Sequence, residues 1–219
     1  MPAATDPRAF HFKVNEAHNK AHNEYTRDTR RFSVAAYLLA IVLVALTVFF
    51  LWAVGGYTWT LLIAAVVLLM AVGLVVLGAT LPKRLGSAQE NFDRYPLCAS
   101  VIAKLQPNSM VLMGLVNTTI DPEGEPRWAL ATRTVTRIAG HERRVGEHVP
   151  SVAVAGKSTK RDPEHWSAAS PTPIAWGTPD AGEVHRAKLA IPKSQWSQLD
   201  RLTSRVDAVE ATRHNFLVL

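Results

Sequence analysis

Two histidines and two glutamates lie close together in the sequence and are the side chains most suited to chemistry. His141 and His148 bracket a segment that contains Glu142 and Glu147. Imidazole nitrogens and carboxylate oxygens can ligate a metal or move a proton, provided that they converge on one point. A charged segment between two strands is also typical of a solvated hairpin. We assign no catalytic, cofactor-binding or metal-binding residue. If the protein is an enzyme, this segment is the best candidate for its active site.

Two other patterns resemble known sites but are incomplete. Residues 156–158 (GKS) follow a strand-like segment, as the end of a phosphate-binding loop does, but Ser151 stands where the loop requires its first glycine. His18 and His22 are four residues apart and can share one helix face, yet Asn19 replaces the glutamate of a catalytic zinc helix. We therefore expect a turn at the first pattern and exposed histidines at the second.

The remaining candidates are better explained by structure than by chemistry. A single thiol, Cys98, excludes an intramolecular disulfide and a multi-cysteine metal site. Its only basic neighbour is Arg94, so we expect a half-buried structural thiol and not a nucleophile. Asp121, Glu123 and Glu125 lie in a proline- and glycine-containing turn, which indicates a solvated loop. No cofactor is predicted from these residues.

Five arginines form a candidate contact surface. Arg127, Arg133 and Arg137 can share one face of a strand pair, and Arg143 and Arg144 follow in the next turn. Each basic side chain close to an anionic membrane surface is attracted to it by about 1 kcal/mol. The net charge of the whole chain is only +6, which is modest for a nucleic-acid-binding protein. The arginines therefore predict contact with anionic lipid or a protein partner, and no nucleic acid; a merely solvated strand face remains an alternative.

These candidates must be positioned by a chain that contains a long segment without charge. Of all residues, 48% are hydrophobic and 19% are charged, but no charged residue or histidine occurs from Phe32 to Pro82. That segment divides into Phe32–Val54 and Trp59–Leu81, separated by the turn at 55–58. A helix of either length spans about 35 Å, enough to cross a hydrocarbon core of about 30 Å. The sequence predicts a transmembrane hairpin and excludes a purely soluble protein.

Basic residues near the ends of the two spans predict their orientation. Arg27, Arg30 and Arg31 precede the first span, Lys83 and Arg84 follow the second, and the turn between the spans has none. Loops with an excess of Lys and Arg stay in the cytoplasm. We therefore expect a multi-pass protein of the plasma membrane with both termini cytoplasmic and residues 55–58 outside.

The part before the first span, residues 1–31, is expected to contain a strand and a helix. Phe10–Val14 alternates apolar and polar residues, as a strand does. Glu16–Arg31 contains no helix-breaking residue and is expected to run as one helix into the first span. Because Phe10, Phe12 and Val14 share a face, we expect the strand to pack onto the C-terminal domain.

Residues 90–219 are long enough for one domain with its own core. Alternating segments predict strands, the spacing of Pro192–Val206 predicts a late helix, and Lys157–Pro173 is expected to be a long exposed loop. The fold class is therefore α+β, with a cytosolic, mainly antiparallel sheet or small barrel behind the hairpin. The predicted strands are Ala99–Leu105, Met110–Thr119, Trp128–Ile138, Val152–Ala155, His185–Ile191 and Phe216–Leu219.

Four short features carry a resemblance to a known group of proteins. They are Phe10–Val14, the RDTRR run at 27–31, the GGYTW turn at 55–59 and the IPKSQW segment at 191–196. With them, the layout resembles small two-span actinobacterial membrane proteins whose C-terminal domain belongs to a family of unknown function. The resemblance implies a role near the cell envelope and supplies no activity, ligand or catalytic residue.

The absence of a recognisable active-site motif favours a binding function. We expect a membrane-anchored, non-enzymatic binding, regulatory or scaffold protein of the cell envelope, whose cytosolic domain contacts a membrane protein or the anionic inner leaflet. The alternative is an enzyme of unfamiliar type that acts on a membrane-associated substrate through the segment from His141 to His148. We expect the protein not to be an enzyme.

Overall fold

The computed structural model describes residues 10–84, 87–156 and 158–219, which fall into two units. One unit is helical and lies within residues 24–87, and the other joins residues up to 23 with residues 88–219. The helices are α1 Glu16–His22, α2 Glu24–Val54, α3 Thr58–Arg84, α4 Ala88–Arg94, α5 Ala181–Ala190, α6 Lys193–Leu202 and α7 Val206–Glu210. The strands are β1 Leu97–Leu105, β2 Met110–Asn117, β3 Trp128–Val135, β4 His148–Ala155, β5 Ser158–Thr159, β6 Asp162–Trp166, β7 Ala169–Pro173 and β8 Phe216–Val218.

The helical unit is an antiparallel pair of long apolar helices. The 31 residues of α2 and the 27 residues of α3 contain both predicted spans, and each helix is apolar and long enough to cross a membrane. Gly55, with φ of 91°, ends α2 in the left-handed conformation that favours glycine. A proline beyond the first turn commonly ends a helix, but α3 continues past Pro82 to Arg84.

The two helices approach closely at Gly78. A side chain at this position would meet the Tyr37 ring at 3.1 Å, so the missing Cβ allows the contact. At Gly73, by contrast, a Cβ would meet no described heavy atom within 4 Å, so this glycine does not serve a close approach of the helices. Large apolar side chains cover the remaining faces of both helices and are exposed in the unit itself, as lipid-facing positions are.

The second unit is built on a curled antiparallel sheet. Its strand order is β7-β4-β1-β2-β3-β8, with a separate β5–β6 hairpin. All strand pairs are antiparallel. The expected strands on β1 to β4 and at the chain end are present, and helices α5, α6 and α7 come late in the chain. The predicted α+β class is therefore confirmed.

The concave face of the sheet is lined by small side chains. Gly114 of β2 lies against Pro171 of β7, and a Cβ at Gly114 would meet Pro171 Cβ at 3.0 Å. Cys98, Ala131 and Ala153 continue this buried layer. Since small residues let two strands approach closely, β7 crosses the concave face and the sheet closes into a half-barrel.

The convex face is covered by helices. Trp196 and Leu199 of α6 and Val209 of α7 pack on apolar residues of β1, β2 and β3, among them Met113 and Leu130. This is the stripe that the helical spacing of Pro192–Val206 predicts. The chain there bends through a 3-10 turn at Thr203–Arg205, so one predicted helix is divided between α6 and α7.

Two predictions in the same domain are wrong. The segment His185–Ile191, which we expected to be a strand, belongs to helix α5 and the residue after it. The Asp180 carboxylate caps that helix by accepting a hydrogen bond from Gly182 N–H at 2.7 Å, and only Ala187 in it is buried. The expected loop Lys157–Pro173 contains β5, β6 and β7, and β7 pairs with β4 as an edge strand. Lys157 itself lies outside the described residues.

The predicted continuous helix Glu16–Arg31 is interrupted at Asn23. This residue is extended, with φ of −78° and ψ of 106°, and separates α1 from α2. Its amide side chain is buried and donates a hydrogen bond to Asn19 Oδ1 at 3.0 Å. Asparagine competes with the helix by such local hydrogen bonds, which explains the break.

The segment before α1 is attached to the sheet domain, although it forms no strand in the described structure. Residues 10–15, here called the N-terminal strap, are extended without regular secondary structure. Phe12 and Val14 are buried among Phe92, Val152 and Ile174. The expected packing of the apolar face on the domain is thus present, while the expected strand is not.

We predict that Phe12→Ala strongly destabilises the sheet domain. Phe12 is 7% exposed, and truncating a buried phenylalanine costs about 3–5 kcal/mol. Lys13→Ala is the matched control, because Lys13 is the exposed neighbour in the strap. Thermal unfolding of the full-length protein measures the difference, and equal midpoints for the two variants would show that the strap contributes nothing to stability.

Candidate functional site

The four residues from His141 to His148 do not converge on one point. His141 Nδ1 lies 3.3 Å from Glu147 Oε1, in the loop between β3 and β4. His148 Nε2 instead lies 2.8 Å from Asp200 Oδ1 on α6, and the His148 ring stacks on Trp196 with centroids 4.6 Å apart. The structure therefore divides the predicted group into two separate pairs. No short sequence spacing could have indicated the second pair, since its members are 52 residues apart.

His141 and Glu147 form the most buried acid–base pair described for this loop. The His141 side chain is 8% exposed, and burial lowers its pKa below the ordinary histidine value, against the opposing effect of the Glu147 carboxylate. Burial also acts to raise the pKa of Glu147, but hydrogen bonds from Arg144 and His141 outweigh it and the pKa is lowered. The pair is thus a neutral imidazole held by a carboxylate, and the His141 Nε2 atom finds no hydrogen-bond partner within the part of the chain that the structure describes.

Among the described residues, no three His, Cys, Asp or Glu side chains are grouped as metal ligands are. His18 and His22 share a helix face as predicted, and their rings stack with centroids 4.0 Å apart. A nitrogen of each is hydrogen-bonded to a backbone carbonyl, that of Ala175 for His18 and that of His18 for His22. Both rings are half-buried, which corrects the expectation of exposed histidines.

Cys98 is more deeply buried than we expected. The residue is 1% exposed on β1, and burial raises the pKa of its thiol to about 12, although a hydrogen bond with Ser100 acts in the opposite direction. A thiol with this pKa is almost entirely protonated at neutral pH and is a poor nucleophile. The preference for a structural thiol therefore agrees with its environment.

The turn with Asp121, Glu123 and Glu125 borders an open groove next to the β5–β6 hairpin. The Asp121 carboxylate accepts a hydrogen bond from Glu123 N–H at 3.0 Å, a contact typical of turns. The groove encloses about 540 Å³ and is lined by Thr119, Ile120, Asp121, Gly124, Glu125, Pro163, Glu164 and His165. The groove is open to solvent, and the Asp121 carboxylate stabilises the backbone of the turn that borders it.

A small charge cluster beside this groove was not predicted. Asp162 lies 2.7 Å from His165 Nδ1 and 2.8 Å from the Arg127 guanidinium. The hydrogen bond from His165, followed by the charges of His165 and Arg127, lowers the pKa of Asp162. The spacing of Asp162 and His165 is local, but we treated this part of the chain as a loop and so missed the pair.

The five predicted arginines do not form one patch, because only Arg133 lies in β3 and the others precede or follow this strand. Arg127 precedes β3 and Arg137 follows it, so about 30 Å of extended chain separates them. Arg133 lies between them, with its guanidinium 4.8 Å from the Trp176 ring centroid and within 3.5 Å of the Ser170 and Thr172 hydroxyls. Arg127 and Arg133 are thus occupied by contacts inside the domain.

Arg137, Arg143 and Arg144 all follow β3, at the end where Val135 pairs with Met110 next to the turn between β1 and β2. Arg143 donates hydrogen bonds to the carbonyl groups of that turn, among them Pro107 at 3.0 Å and Ser109 at 3.1 Å. Arg144 pairs with Glu142 and Glu147. We call these three exposed residues the arginine end. Carbonyl groups do not neutralise the Arg143 charge, so this end of the domain keeps positive charge at its surface.

Comparison with known families identifies the domain. The family described as "Protein of unknown function (DUF3239)" matches residues 83–207, more than half of the chain. The chain belongs to the DUF3239 family. The match begins just after the second span and ends in α7, so it includes the curled sheet and the residues of the arginine end. None of the curated proteins matches the chain.

A solved structure agrees with this assignment. The crystal structure of a protein described as a "putative membrane protein from Corynebacterium diphtheriae" is 44% identical, with a TM-score of 0.54. The similarity covers 56% of this chain and 99% of that chain. Together with the two apolar helices, it supports the prediction of a membrane protein whose relatives include an actinobacterial one.

We predict that His141 makes this DUF3239 domain less stable in mild acid. The pKa of His141 is lowered in the folded state, so between that value and the unfolded value of about 6.5 the unfolded chain binds more protons. The contribution of neutral His141 to the free energy of unfolding is fully present above pH of about 6.5. It decreases as the pH falls below that value, by at most about 1.4 kcal/mol per pH unit. Unfolding free energy measured between pH of about 5 and 7.5 should therefore vary less in His141→Gln.

The control for this measurement is His185→Gln, because His185 is exposed on α5. It should retain the pH dependence of the unsubstituted protein. If His141→Gln and His185→Gln gave the same slope, the acid sensitivity would have to come from other groups, and the neutral state of His141 would be refuted.

Proposed function

We propose that this DUF3239 protein is a membrane-anchored, non-enzymatic binding or regulatory protein, whose sheet domain contacts a membrane protein partner or the anionic inner leaflet from the cytoplasm. The observation that carries the proposal is the division of the acid–base residues into separate pairs. His148 is held by Asp200 and Trp196, and His141 is buried against Glu147. Each of these side chains is engaged inside the domain, and the two histidines have different carboxylate partners.

The arginine end supports a contact surface. Arg137, Arg143 and Arg144 are exposed, and Val145 beside them is 50% exposed. Positive charge next to an exposed apolar side chain suits an anionic or amphipathic partner, because both attractions act on the same surface. Arg127 and Arg133 contribute less, since their guanidinium groups are engaged by Asp162 and by Trp176.

The first test reverses two charges of the arginine end. We expect Arg137→Glu with Arg143→Glu to weaken association with the partner or with anionic lipid about tenfold or more, since each basic residue contributes about 1 kcal/mol. Arg201→Glu with Arg205→Glu is the matched control, because both arginines are exposed and the pair makes the same change in net charge. The full-length variants are purified from native membranes in mild detergent, and the proteins and lipids that accompany them are quantified by mass spectrometry.

The result distinguishes specific contact from net charge. Equal loss of associated protein and lipid in the control pair Arg201→Glu with Arg205→Glu and in the arginine-end pair would show that the arginine end has no special role. Unchanged association in the arginine-end pair would contradict the proposed surface itself. A catalytic role for the domain would instead require turnover that His141→Gln abolishes while the domain remains folded.

The second test concerns orientation. We expect residues 55–58 to lie outside and the sheet domain to lie in the cytoplasm. Thr58→Cys should react with a membrane-impermeant maleimide in intact cells, and Ser194→Cys should react only after the cells are opened. Both positions are exposed, and the native Cys98 is buried and does not compete. Labelling of Ser194→Cys but not Thr58→Cys in intact cells would place the domain on the opposite side of the membrane.

A further inference from the structure

The N-terminal strap is held by hydrogen bonds to its backbone. The Gln89 amide of α4 accepts a hydrogen bond from Val14 N–H at 2.9 Å and donates one to Phe12 O at 2.8 Å. Asn15 N–H donates to Gly177 O at 2.8 Å. An amide side chain that accepts from a backbone N–H and donates to a backbone carbonyl of an extended segment fixes the path of that segment. These hydrogen bonds do not depend on the side chains of the segment. The strap therefore lies in a groove that recognises extended chain.

The same groove has places for alternate side chains of the strap. The Phe12 ring packs edge-on against Phe92 with centroids 5.1 Å apart, and Val14 is buried in the same cluster. Phe10 lies under the Arg186 guanidinium, at 4.8 Å. Side chains two residues apart in an extended segment point the same way, so a backbone clamp with such pockets is a common means of peptide recognition.

Gly177 provides the space for Phe12. A Cβ at Gly177 would lie 2.7 Å from Phe12 Cζ and 2.8 Å from Phe92 Cε2. The φ of Gly177 is −86°, which any residue adopts, so conformational freedom does not require glycine here. Glycine is required because a side chain at this position would occupy the space of the Phe12 ring.

We propose that this groove is a binding site for an extended peptide of the pattern Phe-x-Phe-x-Val-Asn, filled here by the strap of the same chain, and that it also binds the strap of a second copy. The inference goes beyond the proposed function, because it concerns the association of copies and not the arginine end. Every contact of the strap with its groove can be made in the same way between two copies.

Two observations make a second copy the fitting occupant. Each copy carries the sequence that fits the groove, so no other partner chemistry is required. The chain also leaves helical geometry at Asn23, which gives the segment from the strap through α1 a pivot that a continuous helix would lack. Copies anchored in one membrane meet at high local concentration, which favours exchange of such a segment.

The experiment uses two differently tagged full-length copies, co-expressed and oxidised in the membrane. One carries His11→Cys and the other Asp93→Cys, because His11 Nδ1 lies 3.1 Å from Asp93 Oδ1 when the strap is docked. We expect a disulfide between the two tags. Gly177→Ala in both copies should reduce this disulfide, since it fills the place of Phe12. The pair His11→Cys with Ser194→Cys measures random collision and should give background only.

The results decide between docking within one chain and between chains. A disulfide within the double variant His11→Cys/Asp93→Cys, with none above the collision background between singly substituted copies, would overturn exchange. A disulfide between copies that Gly177→Ala leaves unchanged would also overturn it, because the contact would not depend on the groove. Neither result bears on the arginine end, so failure here is distinct from failure of the proposed function.

A second measurement asks whether the groove binds peptide in trans. Phe12→Asp with Val14→Asp disables the strap and leaves the groove residues unchanged. A fluorescent peptide of residues 10–22 should bind this variant about tenfold more tightly than it binds the unsubstituted protein, whose strap competes. Protection of the buried Cys98 thiol from maleimide reports that the variant is folded. Absence of binding by a protected variant would overturn the proposal, as would binding that persists after Gln89→Ala.

Discussion

The close approach of β7 to β2 at Gly114 is the contact on which the domain depends. A Cβ at Gly114 would meet both Pro171 and Ser100 at 3.0 Å, so a larger residue would force the strands apart. Since β7 is joined to β4 at the far side of the sheet, this contact closes the sheet on itself. On the same face of the sheet lie the larger Ile102 and Leu112, packed with Trp176, so side chains fill the interior.

The closure places particular side chains at the open part of the half-barrel. The Ser170 and Thr172 hydroxyls of β7 reach Arg133 of β3, and the 3-10 helix after β7 brings Trp176 under the same guanidinium. Trp176 is fully buried and donates a hydrogen bond to Arg137 O at 3.2 Å. An arginine in such a place stabilises the domain through packing of its side chain as well as through its charge. Arg133 is therefore better regarded as part of the closure than of a surface.

The opposite face of the sheet needs two covers, because α6 and α7 protect only the part formed by β1, β2 and β3. The apolar residues of β4 that point away from the interior, such as Val152, are covered by α4, α5 and the N-terminal strap. Burial of Phe12 and Val14 contributes roughly 1.5–3 kcal/mol each. Together they account for a large part of the free energy of unfolding of a typical domain, which is about 5–15 kcal/mol. A segment before the membrane spans thus completes a core that is otherwise built after them.

The long charge-free segment was sufficient to predict the two spans. Alternation of apolar and polar residues predicted most of the sheet, and helical spacing predicted the late helix. The failures occurred where local and tertiary preferences differ. His185–Ile191 alternates in hydropathy, but Asp180 caps a helix there that buries only Ala187. Phe10–Val14 alternates too, yet its partner is a side-chain amide and not a strand. In β7, Pro171 and Pro173 suggested a loop, although an edge strand has a free side on which the missing donors cost nothing.

The candidate site was less predictable than the fold, because charge pairing depends on distant parts of the chain. Arg127 and Arg137 have the same sequence parity along β3, but one meets Asp162 and the other lies at the arginine end. His148 reaches Asp200 and Trp196 only because α6 packs on β1, the strand next to β4. Once these pairs are made, Arg143 donates to backbone carbonyl groups, which do not neutralise its charge. The part of the electrostatics that folding leaves unused is therefore what an external partner can use, and in this domain it lies beside the turn between β1 and β2.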